Sequence, residues 1–138
     1  MAVRILYIDD EEDLRMLIQS QLLLDGYEVD VVGEGMAAVE RIAHTPYDVV
    51  LLDLHLQDMG GDEVVEELQR RGLQANIVIL TGDTSDDARE RCVALGATQF
   101  LHKPFHFKEL TSSIKYALAH HGGQGRNGSP DGAGGTIA

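Results

Sequence analysis

"VVLLDLHL", residues 49–56, opens with four consecutive apolar residues and sets an aspartate, Asp53, at their end. A strand with one wet face alternates apolar and polar positions. A continuous β-branched and leucine run instead reads as a strand covered on both faces, the habit of parallel sheets. Working outward, Ile77–Leu80 repeats the pattern and Ile5–Ile8 supplies another run. Val29–Val32 is a weaker run broken by Asp30, and Phe100 and Leu101 mark a short fifth strand.

Between these runs lie helical patterns. Leu14, Leu17, Ile18 and Leu22 fall at helical spacing, and Asp25-Gly26 closes that helix. Met36–Ala43 predicts a second helix, stopped near Pro46. Val64, Val65 and Leu68 line a third, ended by Gly72, and Ala88, Cys92 and Leu95 line a fourth, ended by Gly96. Leu110, Ile114, Ala117 and Leu118 line a fifth. Strand and helix alternate five times through short connections, which predicts an α/β fold with a parallel sheet covered on both faces.

Composition bounds the function. The chain has 138 residues, enough for one domain with a buried core. Its net charge of −12 argues against binding nucleic acid or an anionic membrane, and leaves a cation or a protein as partner. No apolar run approaches the roughly 18 residues of a membrane span, and the first residues lack a signal-peptide pattern. Cys92 is the single cysteine and cannot form an internal disulfide, so the expected setting is the reducing cytoplasm. Residues 122–138 are glycine-rich and almost devoid of apolar side chains, which predicts a flexible tail or linker behind a domain spanning residues 1–121.

Polar residues at the strand ends suggest the chemistry. Asp9 and Asp10 come directly after the first strand, Asp53 after the third, Thr81 after the fourth and Lys103 after the fifth. Open α/β sheets bind ligands outside the carboxyl ends of their strands, where the strand order reverses. If the strand order is 2-1-3-4-5, strands one and three are neighbours there, and Asp9, Asp10 and Asp53 would converge in one pocket flanked by Thr81 and Lys103. Three such carboxylates suit a hard divalent cation, Mg2+ above all, which needs few carboxylates and readily shares phosphate oxygens. The lysine and the threonine hydroxyl could bind the remaining oxygens of a phosphoryl group. A carboxylate can also receive that group as an aspartyl phosphate.

Four blocks, "YIDDEEDLR", "VVLLDLHL", "VILTGD" and "FLHKPF", stand in this order, each at a strand end. Together they resemble the receiver domain of two-component response regulators, over about residues 3–121, in the manner of a single-domain chemotaxis receiver. The resemblance implies a doubly wound, flavodoxin-like sheet of order 2-1-3-4-5 with five helices. It implies that Asp53 is the phosphoacceptor, that Asp10 ligates Mg2+ directly and Asp9 through water, and that the His55 backbone carbonyl adds a ligand. Thr81 and Lys103 would meet the phosphoryl group, with Thr81 and Phe100 as the switch pair, and the Lys103-Pro104 peptide would be cis. The implied partners are a histidine kinase or histidine phosphotransfer protein and a downstream protein on the face of helix four, strand five and helix five. A homodimer formed on phosphorylation is a further implied partner. The implied role is a signalling phosphoacceptor, enzymatic only toward its own phosphate.

Two departures stand out. Gln57 replaces the usual proline and Gly60 adds a second glycine, which predicts a less rigid loop after strand three. Phe100 stands where the family often has tyrosine. Three other readings use the same residues. A flavodoxin-like cofactor protein needs a phosphate-cradling loop after strand one, where this chain puts acids. An aspartate-nucleophile phosphohydrolase needs a second acid at position 55, which is His. A receiver-like scaffold would bind partners without phosphorylation. Glu11, Glu12 and Asp13 read as first-turn acids that favour the helix dipole and cap free N–H groups. His44, His106, His120 and His121 read as solvated, without zinc spacing, and Cys92 as a small apolar packing residue.

Overall fold

The computed structural model describes residues 2–82, 86–97 and 99–125. Strands and helices alternate as β1 (Arg4–Ile8), α1 (Glu12–Leu24), β2 (Glu28–Val32), α2 (Gly35–His44), β3 (Val49–Asp53), α3 (Gly61–Arg70), β4 (Ile77–Thr81), α4 (Asp86–Ala94), β5 (Gln99–His102) and α5 (Phe107–Gly125). All five strands are parallel, in the order β2-β1-β3-β4-β5, so β2 and β5 form the two edges. The expected doubly wound, flavodoxin-like architecture is the observed one.

The continuous apolar runs split by the two-residue period of a strand. Ile5, Tyr7, Val49, Leu51, Val78, Leu80 and Leu101 point to one face, where Ile18 and Leu22 of α1 and Leu110, Ile114 and Ala117 of α5 complete the packing. Leu6, Ile8, Val50, Leu52, Ile77 and Ile79 point to the other, under Val39 of α2, Val64, Val65 and Leu68 of α3 and the fully buried Cys92 of α4. Asn76 ties α5 to the sheet, its Nδ2 donating to the carbonyls of Ala117 (2.9 Å) and Asp48 (3.3 Å).

Helix α1 closes as expected. Gly26 takes φ +91°, a left-handed conformation that costs glycine least, and its N–H bonds the carbonyl of Leu23. Gly72 and Gly96 take positive φ just beyond α3 and α4.

Two expectations need correcting. Leu17 is 53% exposed, because Ile18 and Leu22 define the buried stripe of α1 and Leu17 lies about 100° away around the helix. His120 is half-buried rather than solvated: its ring stacks on Tyr116, centroids 3.8 Å apart, and its Nδ1 meets the Tyr116 carbonyl at 2.9 Å. α5 is described as far as Gly125, and residues 126–138 of the expected tail lie outside the described residues. Among the described residues, no helix is long and apolar enough to cross a membrane.

Candidate functional site

The carboxyl ends of β1 and β3 lie side by side, with Ile8 in register with Leu52; Asp9 directly follows β1 and Asp53 ends β3. Asp9, Asp10 and Asp53 each place one carboxylate oxygen within 4.8 Å of the others, as strand order and spacing predict. Asp9 is fully buried and Asp53 nearly so, while Asp10 is half-buried. Water therefore screens this charge poorly. Lys103, half-buried behind β5, answers it: Nζ lies 2.8 Å from Asp9 Oδ2, 3.3 Å from Asp53 Oδ2 and 4.0 Å from Glu11 Oε1. Its N–H bonds the Thr81 carbonyl (2.8 Å), and the Lys103-Pro104 peptide is cis. Thr81 is buried at the end of β4 in register with His102, and Phe100 packs half-buried on the α2–α3–α4 side.

Burial is the largest influence on Asp53, and the neighbouring Asp9 charge adds to it. His55 N–H, bonded to Oδ1 at 3.2 Å, and Lys103 oppose them, and the carboxyl is pushed up from 3.8 to about 6. Burial pulls the Lys103 ammonium down, but its bonds and charge pairing with Asp9 and Asp53 outweigh that and hold it above its ordinary value. One ammonium faces three carboxylates, so the cluster retains negative charge that a divalent cation would neutralise. The donor set, hard oxygens only, fits Mg2+ better than a softer metal.

Several contacts around the site escape sequence reading. Tyr7, fully buried on β1, donates its hydroxyl to Asp9 Oδ2 at 3.0 Å. The two share a face because they are two residues apart on an extended chain, a signal visible in "YIDD". Burial above all, and then the Asp9 charge, raise the Tyr7 phenol well above its ordinary value, so it stays a donor. The cap of α1 also differs from expectation. Glu11 makes no side-chain cap bond; Asp9 Oδ1 accepts the Glu11 N–H at 3.0 Å, while Glu12 and Asp13 lie in the first turn. Arg15 Nη1 donates to the Asp9 carbonyl at 2.8 Å.

The loop after β3, expected to be loose without its proline, is tied at both ends. His55 and Gly60 form an antiparallel bridge, and Gly61 N–H donates to the Leu54 carbonyl at 2.7 Å. Asp58 caps α2, accepting from Gly35 N–H (2.8 Å) and Met36 N–H (3.1 Å). Slight burial works against it, but those N–H groups hold Asp58 below the usual carboxylate range. Gly61 passes so close to the acidic strand end that a Cβ there would lie 2.8 Å from the Asp53 carbonyl oxygen and 2.9 Å from Leu54 Cα. A large concavity of about 810 Å3 lies elsewhere, bordered by Leu68, Leu73, Ala97 and Tyr116, and among the described residues no acid, lysine or arginine lines it.

Comparison with known proteins agrees with this geometry. A family profile described as "Response regulator receiver domain" matches residues 5–115. The "Transcriptional regulatory protein CutR" of Streptomyces coelicolor is 37% identical over 115 residues, 82% of this chain and 52% of that protein. "Response regulator MprA" of a Mycobacterium species is 33% identical over 131 residues, 95% of this chain and 54% of that protein. The chain thus spans about half the length of these curated relatives. Among solved structures, chemotaxis protein CheY4 of Vibrio cholerae superposes with TM-score 0.80 at 28% identity, covering 86% of this chain and all of that one. TrrA of Thermotoga maritima, solved in complex with Mg(2+)-BeF, superposes with TM-score 0.74 at 32% identity, covering 84% of this chain and 99% of its own.

Proposed function

The chain belongs to the response regulator receiver domain family, and on that premise we propose that residues 1–121 form a phosphoacceptor that takes a phosphoryl group from a phosphohistidine onto Asp53. The donor is a histidine kinase or a histidine phosphotransfer protein, and the setting is the cytoplasm. One observation carries the reading: Asp53, at the end of a central strand, is held by His55 N–H and Lys103 Nζ beside two more carboxylates.

The transfer balances simply. An Asp53 carboxylate oxygen attacks phosphorus, a P–O bond forms and the P–N bond breaks. Its electron pair returns to the imidazole, which takes up a proton. Burial pushes the Asp53 carboxyl up to about 6 in the metal-free site, so it is still mostly ionised at neutral pH and available as a nucleophile. Asp10, Asp53 and the His55 carbonyl would hold Mg2+ directly, with Asp9 through water, and the bound ion would neutralise phosphoryl oxygens. The Lys103 ammonium pairs with another phosphoryl oxygen, and the Thr81 hydroxyl donates to a third.

Phosphorylation adds roughly −1.5 to −2 charges and three strong acceptors. Drawing Thr81 toward them leaves space behind it, which the Phe100 ring on the neighbouring strand turns inward to fill, as the family resemblance implies. The face of α4, β5 and α5 then changes its affinity for a downstream protein or a second copy of the chain. The net charge of −12 opposes contact between this chain and the phosphate backbone of DNA. Mass measurement after incubation with acetyl phosphate and Mg2+ tests the reading. Wild type should gain one alkali-labile phosphoryl mass and Asp53→Asn none; equal labelling of both would refute the assignment.

A further inference from the structure

The Lys103 ammonium has two employers. In this structure it sits closer to Asp9 (2.8 Å) than to Asp53 (3.3 Å), yet the proposed chemistry requires it on a phosphoryl oxygen attached to Asp53. Its departure would cost most at Asp9, whose carboxylate is fully buried. A buried carboxylate oxygen stripped of donors is strongly disfavoured. Among the described residues, two other donors reach the Asp9 carboxylate. Glu11 N–H serves Oδ1 at 3.0 Å, and the Tyr7 hydroxyl serves Oδ2, the same oxygen that Lys103 holds.

Tyr7 packs among the core residues under α1 and α5, where valine, leucine or phenylalanine would fill space without bringing a polar group into the interior. Packing therefore accounts for the ring and leaves the hydroxyl unexplained. We propose that Tyr7 is a positioning residue that keeps the Asp9 carboxylate hydrogen-bonded when Lys103 moves from it to the phosphoryl group on Asp53. This rests on the phosphoacceptor reading above. The strand enforces the geometry: Tyr7 and Asp9 lie on one face of the same extended segment, so their bond needs no other element to hold still. Lys103, on a long side chain beyond β5, is the partner free to shift. The hydroxyl makes the shift nearly neutral at Asp9 and so favours the phosphorylated arrangement.

Tyr7→Phe removes the hydroxyl and preserves the ring. Mg2+ affinity is measured first, from amide shifts at the acidic cluster, and then beryllofluoride affinity at saturating Mg2+, beryllofluoride standing for the phosphoryl group. The expected result is an Mg2+ affinity within about twofold of wild type and a beryllofluoride affinity about tenfold weaker, the effect of one lost bond to a charged acceptor. In a Lys103→Met background, which has no ammonium to hand over, the same exchange should change beryllofluoride affinity by less than about twofold. The wild-type Tyr7 hydroxyl proton should remain protected from exchange after beryllofluoride binds. A merely structural hydroxyl would lower stability without this selectivity. Equal beryllofluoride affinity in wild type and Tyr7→Phe, or equal loss of both ligands, overturns the hand-over while leaving the phosphoacceptor reading intact. Failure of wild type itself to bind beryllofluoride overturns both.

Discussion

Asp53→Asn should stabilise the protein in a pH-dependent way. The Asp53 carboxyl has a folded-state pKa of about 6 against an ordinary 3.8, chiefly because it is buried. Between those values the folded protein holds a proton that the unfolded chain has released, so folding strength falls as pH rises through that window. About two pKa units at ~1.4 kcal/mol each give a full effect of about 3 kcal/mol, present below pH 3.8 and lost above pH 6. Between pH 4.5 and 7.5 the linkage relation leaves about 2 kcal/mol of that. Asparagine cannot ionise. Any fixed cost of placing an amide beside Lys103 is common to all pH values, so the change in the difference between the proteins isolates the carboxyl. Urea unfolding of both, in EDTA, at pH 4.5, 6 and 7.5 is the assay. The advantage of Asp53→Asn should grow by about 2 kcal/mol from the lowest pH to the highest, roughly 1 M in urea midpoint. A difference that stays constant, or shrinks, across that range would show that Asp53 is not held in a costly ionised state. Millimolar Mg2+ at pH 7.5 should return stability to wild type and much less to the variant.

Three further outcomes rest on the geometry. Gly61→Ala should destabilise by about 1–3 kcal/mol, because its methyl meets backbone rather than a movable side chain, and a thermal melt would read it. Asp58→Ala should cost about 0.5–1 kcal/mol through the lost α2 cap and raise amide exchange at Gly35 and Met36; unchanged exchange would mean the cap is not formed in solution. Thr81→Ala should still accept phosphate from acetyl phosphate, yet show smaller amide shifts across α5 on beryllofluoride binding. Full shifts there would route the coupling elsewhere.

The central strands were legible because a buried parallel strand leaves an unbroken apolar run, and the site because the runs of β1, β3, β4 and β5, though not that of β2, are followed closely by Asp9, Asp53, Thr81 and Lys103. Ile5–Ile8 and Val49–Leu52 announce both facts at once. What was illegible depends on three-dimensional neighbours. Leu17 adjoins Ile18 in the chain, and only the packed sheet decides which of them faces inward. The Asp58 cap joins residues 23 positions apart, so the loop expected to be slack for want of a proline is held by a bond that no local pattern encodes. The Tyr7 hydroxyl was hidden for another reason: within "ILYI" its ring satisfies the apolar pattern, and its polar tip matters only because Asp9 lies on the same face.

The strand order leaves β2 as an open edge, and an open edge can template the addition of a foreign strand. "EVDVV" has the valine content of an aggregation-prone segment, but two carboxylates interrupt it. Glu28 is bridged to Arg4 Nη2 at 3.3 Å, and Asp30 to Arg41 Nη1 at 3.4 Å and to the Tyr47 hydroxyl at 2.6 Å. Two copies meeting edge to edge about a twofold would run antiparallel, and a pairing centred on Asp30 would bring the two Asp30 carboxylates together across the ~4.8 Å spacing of neighbouring strands. β5, at the other edge, is only four residues long and carries polar Gln99 and His102 at its ends. The acids of β2 therefore act as gatekeepers against polymerisation, and a variant neutral at both Glu28 and Asp30 would offer its neighbours an unguarded ribbon.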